Sequence, residues 1–168
     1  MFYHSGARHR WPLVWVLVLS LGLVGGGVLL ATLKNLAACP LCIVQRMLYL
    51  LLALEALLGL AMLRHRAGRL LAWLLVMLTA ATGAFVAGYQ TWLQRWATDT
   101  SCAADMAWWE RLVQWAGKQV PVLFEASGLC SDPAWRFLSL SIAEWSLVIF
   151  AGLLLTAGTM VWRNRQDF

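Results

Sequence analysis

Residues 39–63 read Cys39-Pro-Leu-Cys42-Ile-Val-Gln-Arg46-Met-Leu-Tyr-Leu-Leu-Leu-Ala-Leu-Glu55-Ala-Leu-Leu-Gly-Leu-Ala-Met-Leu63. A Cys-X-X-Cys pair thus opens directly into an apolar run, from Ile43 to Leu63, long enough to cross a hydrocarbon layer about 30 Å thick as a helix. Three further runs of that kind extend from Trp11 to Leu33, Leu70 to Leu93 and Trp145 to Trp162. The whole chain of 168 residues is 61% hydrophobic and only 12% charged, too little polar material to cover a water-facing surface. These features predict an all-α membrane protein. Its expected form is one domain over residues 1–168, a four-transmembrane-helix bundle with spans at about 11–33, 43–63, 70–93 and 145–162, embedded in a lipid bilayer.

The charges orient the spans. A net charge of +5 could suggest a nucleic-acid partner, but the basic residues sit where the positive-inside rule puts them. Arg8 and Arg10 precede the first span, Arg64, Arg66 and Arg69 separate the second from the third, and Arg163 and Arg165 follow the fourth. These segments and both termini are therefore expected in the cytoplasm, and no nucleic-acid partner is expected. Loops 34–42 and 94–144 then lie on the outer side, and Cys39, Cys42, Cys102 and Cys130 all fall there. An even number of cysteines facing an oxidising compartment suggests disulfides. Trp11, Trp92, Trp96, Trp135, Trp145 and Trp162 mark helix ends as an aromatic belt would.

Within the long outer loop, Met106, Trp109, Val113 and Ala116 share a face at helical spacing, which predicts a short interfacial helix over 104–116. Pro121 breaks the helical pattern, and Glu125-Ala-Ser-Gly-Leu-Cys130 with Pro133 reads as a turn-rich, mobile loop. Gly22, Gly25, Gly26 and Gly27 in the first span, and Gly83, Ala84, Ala87 and Gly88 in the third, read as small-residue faces for close helix packing. Leu36-Ala37-Ala38-Cys39 mimics a lipoprotein cleavage box. Lys34 and Asn35 separate it from the apolar core, and Pro40 follows the cysteine, which argues against that processing.

The chemistry concentrates at Cys39 and Cys42. Cys-X-X-Cys spacing alone suits either a disulfide or a shared metal. Cys42 falls at the amino end of the second span, where unpaired N–H groups and the helix dipole favour a thiolate. Arg46, four residues on, shares its helix face one turn deeper. A structural zinc site is disfavoured, because no His accompanies Cys102 and Cys130, and His4, His9 and His65 fall on the opposite side, so no metal is expected. Two inert disulfides would fit the count but would leave Arg46 unexplained, unless that Arg merely snorkels to the headgroups.

The run from Cys39 to Arg46 closely resembles the signature of the disulfide bond formation protein B family, DsbB. The resemblance covers nearly the whole chain and includes Leu93-Gln94 at the end of the third span, Val120-Pro121, and Ala126-Ser127-Gly128-Leu129-Cys130. It implies a bacterial inner-membrane thiol:quinone oxidoreductase. Its soluble partner would be a DsbA-like thioredoxin-fold oxidase, and its electron acceptor a membrane quinone, ubiquinone or menaquinone. The resemblance implies that Cys102, disulfide-bonded to Cys130, receives the attack of reduced DsbA. Cys130 then exchanges with Cys39, and Cys39 and Cys42 deliver two electrons to the quinone, with Cys42 nearest the ring.

In this reading Arg46 stabilises the thiolate or the quinone oxygen, and Gln45 shapes the pocket. Some members carry a His near the end of the third span where this chain has Gln90, which is expected to donate an amide hydrogen bond to a quinone oxygen. Glu55 matches no family motif and is expected to bond a neighbouring helix. The vitamin K epoxide reductase family, a rival reading, places its quinone-facing Cys-X-X-Cys late in the chain rather than at the second span.

Overall fold

The computed structural model describes residues 4–96, 108–128, 130–131 and 135–166, with side-chain surroundings given from Arg10 onward. Cys102, Met106, Leu129 and Pro133 lie outside the described residues. The elements are α1 (His4–Lys34), α2 (Pro40–Ala61), α3 (Arg66–Trp96), α4 (Trp108–Gln119), α5 (Pro121–Phe124), β1 (Arg136–Phe137), β2 (Leu140–Ser141) and α6 (Ile142–Gln166). Helices α1, α2, α3 and α6 are long and apolar enough to cross a membrane. The protein is an all-α membrane bundle of these four helices.

Helices α1, α3 and α6 run beyond their apolar stretches at both ends, and α2 begins before its own, with several of these ends capped by local chemistry. α1 ends in a Schellman turn: Asn35 takes the left-handed conformation (φ 50°) and Leu36 N–H bonds Ala31 O at 3.0 Å. α2 starts with Pro40 in its first turn and Cys39 as N-cap, in extended conformation. α6 starts with a capping box, in which Glu144 Oε2 accepts the Ser141 N–H at 2.6 Å and Ser141 Oγ accepts the Glu144 N–H at 3.3 Å. Arg95, near the end of α3, forms an ion pair with the same Glu144. At the far end, Arg66 of α3 donates to Asn164 O of α6 at 2.9 Å, so the two helices are tied at both ends.

Around the bundle α1 packs on α2, α2 on α3 and α3 on α6, whereas α1 and α6 barely meet. The core is built on Trp73, Leu52, Val76 and Phe150, all fully buried. Phe150 stacks on Tyr49 with ring centroids 4.4 Å apart. It reaches that position because Gly83 lacks a side chain: a Cβ there would stand 2.3 Å from the Phe150 ring. The small-residue face of α3 is thus a packing face. The glycines of α1 are not. A Cβ on Gly22, Gly25, Gly26 or Gly27 would meet nothing within 4 Å: Gly22 and Gly25 are exposed on the outside of α1, and Gly26 and Gly27 border the loosely closed α1–α6 seam. The outward faces carry Leu78, Phe85 and Leu155, at 66%, 76% and 72% exposure, as a lipid-facing surface requires.

The cysteine-bearing end is covered by the outer segments. α4 buries Val113 and Ala116 and leans on α2. β1 and β2 form a two-residue antiparallel ladder pairing Arg136 with Ser141 and Phe137 with Leu140. Its turn holds Leu138 and Ser139 at φ 50° and 68°, so it lacks the Asn-Gly or Asp-Gly signal of tight hairpins. Trp145 of α6 anchors the ladder by donating its indole N–H to Phe137 O at 3.1 Å.

Candidate functional site: a cysteine relay beside an apolar cavity

The site begins with the cap of α2. Cys39 Sγ accepts the backbone N–H of Cys42 at 3.3 Å, as an N-cap oxygen would. That bond folds the first turn back on itself and brings the two sulfurs to 3.0 Å, so a bridge between them needs only a small rotation. Cys39 is buried and Cys42 half-buried.

Cys130 completes a row of three sulfurs. The loop that carries it is not free, contrary to the reading of 125–130 as mobile. Ser127 and Gly128 both donate their N–H groups to Ala38 O, at 2.9 and 3.0 Å. Gly128 is needed for that approach, since a Cβ would come within 2.5 Å of Ala37 O. Cys130 consequently lies within hydrogen-bonding reach of Cys39, with the Leu41 N–H also directed at it. The bond from Cys39 draws the Cys130 thiol below its ordinary value, and neighbouring Cys130 and Cys42, with burial, push Cys39 well above its own.

On the other side of Cys42 lies a cavity of about 420 Å³ between α1, α2 and α6, roofed by Trp135 and Phe137. Its walls are almost wholly apolar, with Cys42, Gln45, Arg46, Tyr49 and Ser146 as the residues that carry polar groups. Gly26 and Gly27 form part of the α1 wall, which explains why a small-residue run faces open space there. Arg46 is held by two backbone carbonyls, donating Nη1 to Leu123 O at 3.0 Å and Nη2 to Gly27 O at 3.5 Å. A guanidinium has five N–H donors. These two contacts leave donors for a group in the cavity, and tie α5 and α1 to the cysteine helix. A second apolar groove, lined by Trp11, Trp15, Leu19 and Thr156 among others, continues along the same seam, with Ile149 common to both.

Gln90 is placed differently from expectation. It does not line the cavity; its amide points across the bundle at the sulfurs. Nε2 lies 3.2 Å from Cys39 Sγ and 3.1 Å from Cys42 Sγ, and Oε1 accepts from Gln45 Nε2 at 2.8 Å. The spacing of α3 gives no hint of this, because contact depends on how far α3 is rotated against α2. Glu55 is away from the site, with its Oε1 accepting from Thr79 of α3 at 2.7 Å. Unforeseen at the sequence level were Gly128 and Glu144. The signal for the latter was present in the Ser141-Ile-Ala-Glu144 capping pattern.

A redox-capable thiol pair, a third thiol docked on it and an apolar cavity holding one cation form a unit suited to moving electrons from cysteines to an apolar acceptor. Comparison with known proteins shows the family. The family model described as "Disulfide bond formation protein DsbB" matches residues 9–160. "Disulfide bond formation protein B" of Dechloromonas aromatica is 44% identical over 136 residues, covering 80% of this chain and 81% of that one. The protein of the same name from Nitrosomonas europaea is 38% identical, covering 86% and 88%. "Disulfide bond formation protein B 1" of Pseudomonas fluorescens strain Pf0-1 is 35% identical, covering 95% and 93%. The chain belongs to the DsbB family of disulfide bond formation proteins, membrane-embedded oxidoreductases that form disulfides.

Proposed function

We propose that this protein reoxidises a DsbA-like thioredoxin-fold oxidase in the periplasm and passes the electrons to a quinone in the bacterial inner membrane. The observation that carries the reading is the row Cys130, Cys39, Cys42 and cavity, each member in reach of the next. In this reading the cysteine end of the bundle, with loops 34–42 and 94–144, faces the periplasm, and the arginine-rich ends face the cytoplasm.

The relay starts when a thiolate of reduced DsbA attacks Cys102 of a Cys102–Cys130 disulfide and releases Cys130 as thiolate. That leaving group comes free beside the Leu41 N–H. Cys130 then attacks the Cys39 sulfur of a Cys39–Cys42 disulfide. A Cys130–Cys39 bond forms, and Cys42 leaves as thiolate at the amino end of α2, where the helix dipole and Arg46 favour the charge. The second thiol of DsbA then breaks the DsbA–Cys102 bond, and Cys102 attacks Cys130 to restore their disulfide and free Cys39. Cys39 and Cys42 re-form their bond as two electrons and two protons pass to the acceptor.

The cavity suits a quinone. Its apolar walls match a substituted ring, Arg46 and Gln45 offer N–H donors at one end, and the groove beyond Ile149 offers room for an apolar tail. A bound quinone supplies the two-electron, two-proton acceptor, ubiquinone and menaquinone meeting that description equally. Arg46 and Gln45 orient it, and the surrounding apolar side chains exclude water.

The test mixes the purified full-length protein with reduced DsbA and a short-chain quinone, following quinone absorbance together with the thiols of DsbA. Stoichiometric loss of both is expected, one quinone per DsbA disulfide. Reoxidised DsbA without quinone loss, or no turnover at all, would overturn the assignment.

A further inference from the structure

Among the described residues, the one polar side chain that touches both sulfurs of the Cys39–Cys42 pair comes from another helix, and it is neutral. Gln90 is 1% exposed, and its Nε2 lies 3.2 and 3.1 Å from the two sulfurs, which stand 3.0 Å apart, so a single N–H is shared between them. Gln45, itself 4% exposed, donates to the Gln90 oxygen at 2.8 Å. That bond decides which end of the amide faces the sulfurs. Flipped, Gln90 would set its NH₂ against the NH₂ of Gln45 and take its donor away from the sulfurs.

These bonds are not equally strong in the two redox states of the pair. A thiolate is a charged acceptor and takes charge-assisted hydrogen bonds, roughly twice as strong as neutral ones. The sulfurs of a disulfide carry no such charge. A fixed donor aimed at both sulfurs therefore favours the reduced form, and a dithiol whose reduced form is stabilised is the more oxidising couple.

We infer that Gln90 is a redox-tuning residue, whose amide, locked by Gln45, raises the reduction potential of the Cys39–Cys42 couple by hydrogen-bonding its reduced sulfurs. This rests on the proposed relay for its purpose, since a higher potential draws electrons from Cys130 into the pair. Its physical content does not depend on the relay. Because an amide does not titrate near neutrality, the tuning survives changes of pH that would charge or discharge an imidazole in its place.

The test is a redox titration of full-length protein carrying Cys102→Ala and Cys130→Ala, freed of extractable quinone, so that only Cys39 and Cys42 report. In mixtures of reduced and oxidised dithiothreitol, the reagent dithiol reduces the protein disulfide. It becomes the cyclic disulfide, with two electrons and two protons moving to the protein. The fraction reduced is read by maleimide mass shift.

Gln90→Met keeps length and removes the donor. It should make the pair about tenfold harder to reduce, which is about 30 mV for a two-electron couple. Gln90→His restores an N–H and should recover part of the loss. Gln45→Met leaves Gln90 in place but free to flip, and should shift the constant in the same direction by about threefold. A Gln90→Met constant within about twofold of the reference overturns the inference. Should that variant not yield a folded, monodisperse protein, Gln45→Met decides, and an unshifted constant there overturns it equally. Neither DsbA nor quinone enters the measurement, so a failed relay and a failed tuning role are told apart.

Discussion

Replacing Gly128 by Ala tests whether the two outer loops must dock for electrons to pass. Gly128 has no left-handed backbone, so any residue could adopt its conformation, and the cost of a side chain is one of contact. The new Cβ would lie 2.5 Å from Ala37 O and 3.0 Å from Ala37 C, against an ordinary carbon–oxygen contact of about 3.4 Å. Both obstacles are backbone atoms, so the loops must part by about 0.9 Å. That displacement stretches the bonds from Ser127 and Gly128 to Ala38 O, now 2.9 and 3.0 Å, beyond useful length.

Two such bonds are worth together about 1–3 kcal/mol. The docked arrangement should then become about 5- to 150-fold less favoured. Exchange between Cys130 and Cys39 should slow by up to that factor, while the bundle core, far from the contact, should keep its thermal midpoint. The assay adds reduced DsbA to quinone-free protein, quenches with maleimide at successive times and counts thiols at Cys39 and Cys42. Ser127→Ala, which keeps the backbone N–H and changes only an exposed side chain, serves as control and should match wild type. If Gly128→Ala transferred electrons to Cys39 and Cys42 at the wild-type rate in a folded bundle, docking of the loops would not be required, and the row of three sulfurs would lose its meaning.

Arg46→Lys should fold and insert normally but raise the quinone concentration for half-maximal rate by about tenfold, since a point charge replaces a planar fork. Arg46→Gln should also slow the maximal rate, and DsbA oxidation in a single turnover without quinone should stay near wild type in both; normal quinone dependence would reduce Arg46 to an anchor. Gly26→Leu should leave the fold intact, because its Cβ enters open space, yet block the cavity and raise the quinone requirement; unchanged quinone titration would place the acceptor elsewhere. In the fully reduced protein, the lowered thiol of Cys130 keeps its thiolate below the ordinary range of about 8.5. The raised thiol of Cys39 keeps its proton above that range. Iodoacetamide at pH 7 should thus modify Cys130 before Cys39. Cys39→Ala should move the Cys130 reactivity midpoint upward; mass spectrometry showing the reverse order, or an unmoved midpoint, would contradict the hydrogen bond assigned between them.

The sequence by itself determined the spans, their charged ends and the placement of cysteines at one end. Each is a local property: apolar length sets whether a helix crosses a bilayer, and arginine position sets which end stays behind. The position of Cys42 and Arg46 on one face of α2 was legible for the same reason, because four residues make about one turn. What the helices do to one another was not legible, since contact across a bundle depends on each helix's rotation and separation.

Two glycine-rich stretches looked alike in sequence. In α3, Gly83 admits Phe150, whereas in α1, Gly26 and Gly27 line a cavity. Gln90 was read as facing the acceptor, and the rotation of α3 turns it onto the sulfurs. The loop of Cys130 carries every mark of mobility in its composition. Only the fold supplies Ala38 O as the acceptor that two of its amides need, and so decides that three sulfurs stand in a row.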